Sequence, residues 1–333
     1  MSVSDRLRWF RRFSIAGVIL AAAVVVLGAW VRLTAAGLGC PDWPGCYGHV
    51  YPQVSHGFGR ALHEMIHRYF AGTLILIITA LLALAAVNRR YPSQPRAVPI
   101  ALFIVVCLQG ALGRLTVTLL LTPLVVTAHL LGGLCTLGLL GWLSLSPGRE
   151  DLTAPERGLR KFAVAGLAVL TMQIALGGWT STNYAAIACP DFPACQNSWW
   201  PSMDFADAFR PSHGLGIDYE GGVLAAPART AIHFAHRLGA VVTALSLLTL
   251  AGIAWRRARS QRLRFAAVLV GSAVCMQIAI GIATVKWGIP LTLATLHNAG
   301  AAALVMAMAN LLRALWPDSP APVVLLRDVE PAR

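Results

Sequence analysis

Apolar residues along this chain neither alternate nor mark one helical face. They run nearly unbroken in eight long stretches separated by short polar segments. A helix rising 1.5 Å per residue needs about 20 such residues to span roughly 30 Å of hydrocarbon. The stretches predict membrane helices near 13–35, 62–87, 97–118, 122–143, 160–181, 229–254, 263–284 and 289–312. The expected fold class is an all-α membrane protein. Of the 333 residues, 57% are hydrophobic and only 12% charged, against about a quarter charged in an ordinary soluble domain. The first stretch carries the basic and small residues of a secretory leader, but its match to the fifth argues that it is retained.

The formal net charge of +13 does not point to nucleic acid, because the basic residues fall in short clusters between apolar runs with no single basic face. They set topology instead. Arg6, Arg8, Arg11 and Arg12 precede the first stretch, and Arg89, Arg90 and Arg96 follow the second. Arg149, Arg157, Arg160 and Lys161 follow the fourth; Arg256, Arg257, Arg259, Arg262 and Arg264 follow the sixth; Arg313, Arg327 and Arg333 end the chain. All fall on one side, so both termini are expected in the cytoplasm. Membrane lipid is the surrounding partner.

The chain also repeats itself. Cys40-Pro41-Asp42-Trp43-Pro44-Gly45-Cys46, followed by His67-Arg68, is echoed by Cys189-Pro190-Asp191-Phe192-Pro193-Ala194-Cys195 and His236-Arg237. Leu27-Gly28-Ala29-Trp30 matches Leu176-Gly177-Gly178-Trp179, and Cys107-Leu108-Gln109 matches Cys275-Met276-Gln277 at an offset that also carries His129 onto His297. Each copy has an even number of spans, so the copies share one orientation, a parallel repeat. Two four-helix bundles are expected, with residues 1–145 forming one half, 146–315 the other and 316–333 a cytoplasmic tail.

Both cysteine pairs lie in exterior loops, where an oxidising envelope favours disulfides Cys40–Cys46 and Cys189–Cys195 over free or redox-active thiols. Cys107, Cys135 and Cys275 lie within spans, where a thiol reads as a small buried hydrophobe.

A lone histidine on an apolar helix usually hydrogen-bonds a neighbouring helix. Four at matching places, His67, His129, His236 and His297, read instead as two facing pairs. Ionisable groups inside a membrane are costly and partnered, and a metal is one partner for two neutral imidazoles. Zinc asks for further ligands, whereas haem needs only axial ones and suits a four-helix interior. Arg68 and Arg237, beside their histidines, are candidates to meet haem propionates by charge-assisted hydrogen bonds, or else to snorkel. Arg114, without a basic counterpart, is a further candidate near a propionate.

One asymmetry divides the halves. Glu64 precedes His67 on the same helical face, while the equivalent position before His236 is His233. Glu64 is either a structural partner of Arg60 or Arg68, or a group for general acid–base chemistry.

With these motifs the sequence resembles the haem A synthase family across all eight spans, in the form with paired cysteines in the exterior loops. The resemblance implies oxidation of a ring methyl group of haem O to the formyl group of haem A, an oxidoreductase reaction in a bacterial inner membrane. It implies that His236 and His297 ligate a resident haem b, that His67 and His129 flank the substrate haem O, and that Glu64 assists catalysis. A haem O synthase is the expected source of substrate, an electron donor is required, and a homo-oligomer is compatible with the family. His63 and His233 receive no role. A dihaem b-type cytochrome that only transfers electrons is the alternative; it explains four histidines but not the single carboxylate.

Overall fold

The structure, a computed structural model, describes residues 3–53, 57–88, 95–145, 152–214 and 216–316. Arg89, Arg90, Arg149, Arg327, Arg333 and all but the first residue of the expected tail lie outside the described residues. The elements in chain order are α1 (Val3–Leu33), α2 (Phe58–Val87), α3 (Ala97–Thr118), α4 (Pro123–Ser144), α5 (Ala154–Thr182), the short α6 (Phe205–Ala208), α7 (Ala226–Arg257), α8 (Gln261–Lys286) and α9 (Leu291–Leu315). Eight of them, all but α6, are long and apolar enough to cross a membrane. In lipid a helix is favoured because it satisfies every backbone polar group within itself.

Two helices start earlier than the apolar runs suggest. Helix α1 extends toward the N-terminus through a polar turn in which Arg8 pairs with Asp5. Helix α5 begins at Ala154 because Thr153 and Glu156 form a reciprocal capping box, with Glu156 accepting the Thr153 N–H at 2.8 Å. At α5 polar capping, not hydrophobicity, sets the end.

Helix α1 packs on α2 and α4, and α3 packs on the same two helices, so the first four close a ring. Helices α5, α7, α8 and α9 close a second ring in the same cyclic order. The rings meet through α4 with α9, α1 with α9, and α4 with α5. Leu74, Ile78, Leu81, Leu102, Leu137 and Leu140 fill the first core, and Leu159, Leu247, Leu263, Val270, Met308 and Leu311 the second. Ile174 and Val305 touch both. The second core also contains Ala163, Ala251, Ala254, Ala266 and Ala267, small residues that let membrane helices approach closely.

Large apolar side chains such as Ile19, Leu76, Phe162, Leu245 and Phe265 point outward, as lipid-facing positions should. Cys107, Cys135 and Cys275 are exposed as well, which corrects the expectation that they are buried. In a span that is apolar all round, hydrophobicity does not separate the inner face from the outer one.

The segment between α5 and α7 crosses to the other half. Buried Tyr219 donates its backbone N–H to the carbonyl of Leu120 at 3.1 Å, and Glu220 pairs with Arg60 of α2 at 2.7 Å. From the first half, Arg32 donates to the Ser181 carbonyl and to the Tyr184 hydroxyl, both at 2.9 Å. These contacts tie the loop end of one ring to that of the other.

Candidate functional site

Both cysteine pairs are disulfide-bonded, with S–S distances of 2.03 Å for Cys40–Cys46 and 1.94 Å for Cys189–Cys195. Each closes a small loop at the same end of the bundle as the histidines. The aspartate inside each loop fixes its turn. Asp42 accepts the backbone N–H groups of Tyr47 and Gly48, both at 2.6 Å, and Asp191 those of Gln196 at 2.7 Å and Asn197 at 2.8 Å. The Gly48 N–H holds the Asp42 carboxyl below its ordinary pKa, and the Asn197 N–H does the same for Asp191.

An arginine then binds each loop to its helix. Arg68 donates to the carbonyls of Asp42 at 2.8 Å and Gly45 at 2.5 Å. Arg237 donates to those of Asp191 and Ala194, both at 2.7 Å, and Cys189 at 3.0 Å. These are the two arginines expected at haem propionates; the structure puts their guanidinium groups against loop carbonyls. The buried Arg237 Nε has no partner. Arg114 is exposed on α3.

The first loop has one connection the second lacks. Glu64, only 5% exposed, accepts the Cys40 N–H at 2.9 Å with one oxygen and meets Arg68 at 2.5 Å with the other. The expected structural pairing with Arg68 is therefore present, while Arg60 goes to Glu220. The Cys40–Cys46 disulfide packs on Ala61 and Met65 of α2. Gly39 allows this approach, since a Cβ there would lie 2.7 Å from the Arg60 carbonyl carbon.

The four histidines lie on α2, α4, α7 and α9. His67 of α2 is near His129 of α4, and His236 of α7 is near His297 of α9. Each ring lies over a glycine of an adjacent helix. A Cβ at Gly28, Gly113, Gly177 or Gly281 would lie 3.0, 3.4, 3.2 or 3.0 Å from Cε1 of His67, His129, His236 or His297 respectively. The buried Nδ1 atoms of His67, His129 and His297 have no hydrogen-bond partner. Among the described residues no cluster of three or more His, Cys, Asp or Glu could hold a metal ion.

Around the second pair the structure adds a residue that the sequence does not single out. Gln173 Nε2 of α5 donates to the His236 carbonyl at 3.1 Å and lies 3.1 Å from its Nδ1. Gln277 Nε2 of α8 donates to the His297 carbonyl at 2.9 Å and lies 3.5 Å from its Nε2. The signal was a glycine three residues after each histidine, Gly239 and Gly300, where a Cβ would collide with the amide. His233 faces the Ala185 carbonyl at 3.1 Å, and His63 stands edge-on to Trp30.

Eight helices long and apolar enough to cross a membrane, carrying two half-buried histidine pairs near two disulfide loops, define a multi-pass membrane protein. The family model COX15-CtaA, described as Cytochrome oxidase assembly protein, matches residues 11–309. The chain belongs to that family. A protein of Shewanella oneidensis described as Heme A synthase is 39% identical, covering 94% of this chain and 98% of its own length. Proteins with the same description from Rhizorhabdus wittichii and Halalkalibacterium halodurans are 26% and 27% identical, covering 87% and 82% of this chain and 89% and 86% of their own.

Proposed function

We propose that the chain is a haem A synthase, an oxidoreductase that converts a ring methyl group of haem O, through a hydroxymethyl, to the formyl group of haem A. The observation that carries this is the asymmetry between two otherwise matching histidine sites. Glu64 stands one turn from His67, and its counterpart near His236 is His233. A cytochrome that only passes electrons needs no such difference, and the relatives above are described as haem A synthases.

In this proposal residues 1–145 form the substrate half and 146–315 the resident half. His67 and His129 would flank haem O, and His236 and His297 would hold haem b. The glycine beneath each ring and the three partnerless Nδ1 atoms support the fit, since haem asks a protein only for axial ligands. The bound haem b supplies one-electron transfer. Glu64, fixed from two sides, takes up or releases the proton at the reacting methyl carbon, or stabilises positive charge developing on the ring. Arg237 keeps one free Nε–H for a propionate, and Arg68 is its counterpart in the substrate half.

The chain sits in a bacterial inner membrane with both termini cytoplasmic and the disulfide loops outside. A haem O synthase delivers the substrate. The test is extraction and chromatography of haems from membranes expressing the chain together with a haem O supply and a reductant, beside an empty-vector control. Haem A or its hydroxymethyl precursor is the expected product. Haem B and unconverted haem O alone, with an intact low-spin spectrum, would favour the electron-transfer cytochrome.

A further inference from the structure

The glutamine–glycine contact described above recurs, and its distribution is uneven. Gln173 lies against Gly239, three residues after His236; Gln277 lies against Gly300, three after His297; Gln109 lies against Gly132, three after His129. In each case a Cβ on the glycine would be no more than 2.3 Å from the amide group, with separations of 2.3, 2.1 and 1.8 Å. The fourth place breaks the pattern on both sides. Three residues after His67 stands Phe70, and the position on α1 that corresponds to Gln173 is Val24. That correspondence follows from the common spacing that carries Gly28 onto Gly177 and Trp30 onto Trp179. Val24 has no side-chain donor.

An amide that bonds a ligand's backbone, and its ring where the two meet, restricts how far the imidazole can swing. Such outer partners orient metal-ligating histidines and change their affinity for the metal. Resting on the haem assignment above, we propose that His67 is the exchangeable ligand of the substrate half. It leaves the iron to open a coordination position while His129 stays. Gln173 and Gln277 are positioning residues that keep both positions closed in the resident half. No atom or electron is transferred in this step; one iron–nitrogen bond breaks and the imidazole swings aside.

Carbon monoxide is the probe, because it binds ferrous haem only where a ligand has left. Full-length protein carrying both haems is reduced with dithionite and titrated by difference spectroscopy. Wild type is expected to bind carbon monoxide at one haem per chain. The double variant Val24→Gln/Phe70→Gly, which supplies both the amide and the gap it needs, is expected to retain both haems and bind carbon monoxide at least about tenfold more weakly. Gln173→Val is expected to make the resident haem reactive as well. Unchanged affinity in the double variant with both haems present would overturn the proposal, as would a two-haem wild type that binds none. Should the double variant fail to fold, Gln173→Val decides alone, a resident haem that still excludes carbon monoxide counting against us. Failure of the haem assignment itself is distinguishable: it appears as a wild-type haem content below two per chain before any gas is added.

Discussion

Glu64 accepts the backbone N–H of Cys40 at 2.9 Å, joining the membrane helix that carries His67 to the exterior disulfide loop. The corresponding contact is absent by composition in the second half, where His233 occupies the place and turns to the Ala185 carbonyl. One residue thus couples the loop to a histidine site in only one of two similar halves.

Replacing that carboxylate while keeping its shape separates chemistry from scaffolding. Glu64→Gln retains an oxygen to accept the Cys40 N–H, so haem content and the resident low-spin spectrum are expected to be unchanged. Haem A formation is expected to fall by about 10² or more, the range of a lost acid–base group. Normal haem A output from this variant would remove Glu64 from the mechanism.

The two disulfides are expected to differ in their effect. Opening a loop this small costs about 2 kcal/mol by the chain-entropy argument, similar for both pairs. Only Cys40→Ser/Cys46→Ser also loosens the Glu64 contact, so it should lower haem A yield more than Cys189→Ser/Cys195→Ser does. Parallel measurement of yield and thermal midpoint tests this, and equal losses of yield would count against it.

The glycines beneath the rings give a site-selective probe. Alanine at position 281 would place a Cβ 3.0 Å from His297 Cε1, and at position 28 the same distance from His67 Cε1. Overpacking of this kind costs roughly 1–3 kcal/mol. Gly281→Ala is expected to weaken retention of the resident haem, and Gly28→Ala to reduce conversion while leaving the resident spectrum intact. Absorption spectra and haem extraction read the two effects separately.

Acid should loosen both loops. The carboxyls of Asp42 and Asp191 are held below their ordinary values, first of all by the backbone N–H groups of Gly48 and Asn197. A depressed folded pKa contributes stability that is complete above the unfolded value, about 3.9, and is lost as pH falls through the folded value. Amide exchange at Tyr47, Gly48, Gln196 and Asn197, corrected for its intrinsic pH dependence, should quicken only below that range. In Asp42→Asn the Tyr47 and Gly48 amides should lose the pH dependence while those of the second loop keep it.

The eight spans and the two disulfides were legible because each rests on residue pattern: long apolar runs and matched cysteines at one spacing. Helix ends were less so, since Thr153 with Glu156 and Asp5 with Arg8 extend helices through polar turns that hydrophobicity does not register. The orientation of Cys107, Cys135 and Cys275 was hidden because lipid-facing and buried positions are both apolar. Gln173 was hidden for the opposite reason. Its partner in the repeat is Val24, so comparison of the halves did not mark it, and only its distance to His236 does.

Among the described residues, the segment that carries Tyr219 and Glu220 from the second half onto Leu120 and Arg60 has no equal in the first. The two halves therefore meet as lock and key. Exchanging their order, or doubling either one, would leave one set of attachment points without its counterpart. The halves are alike in plan but are not substitutes for each other.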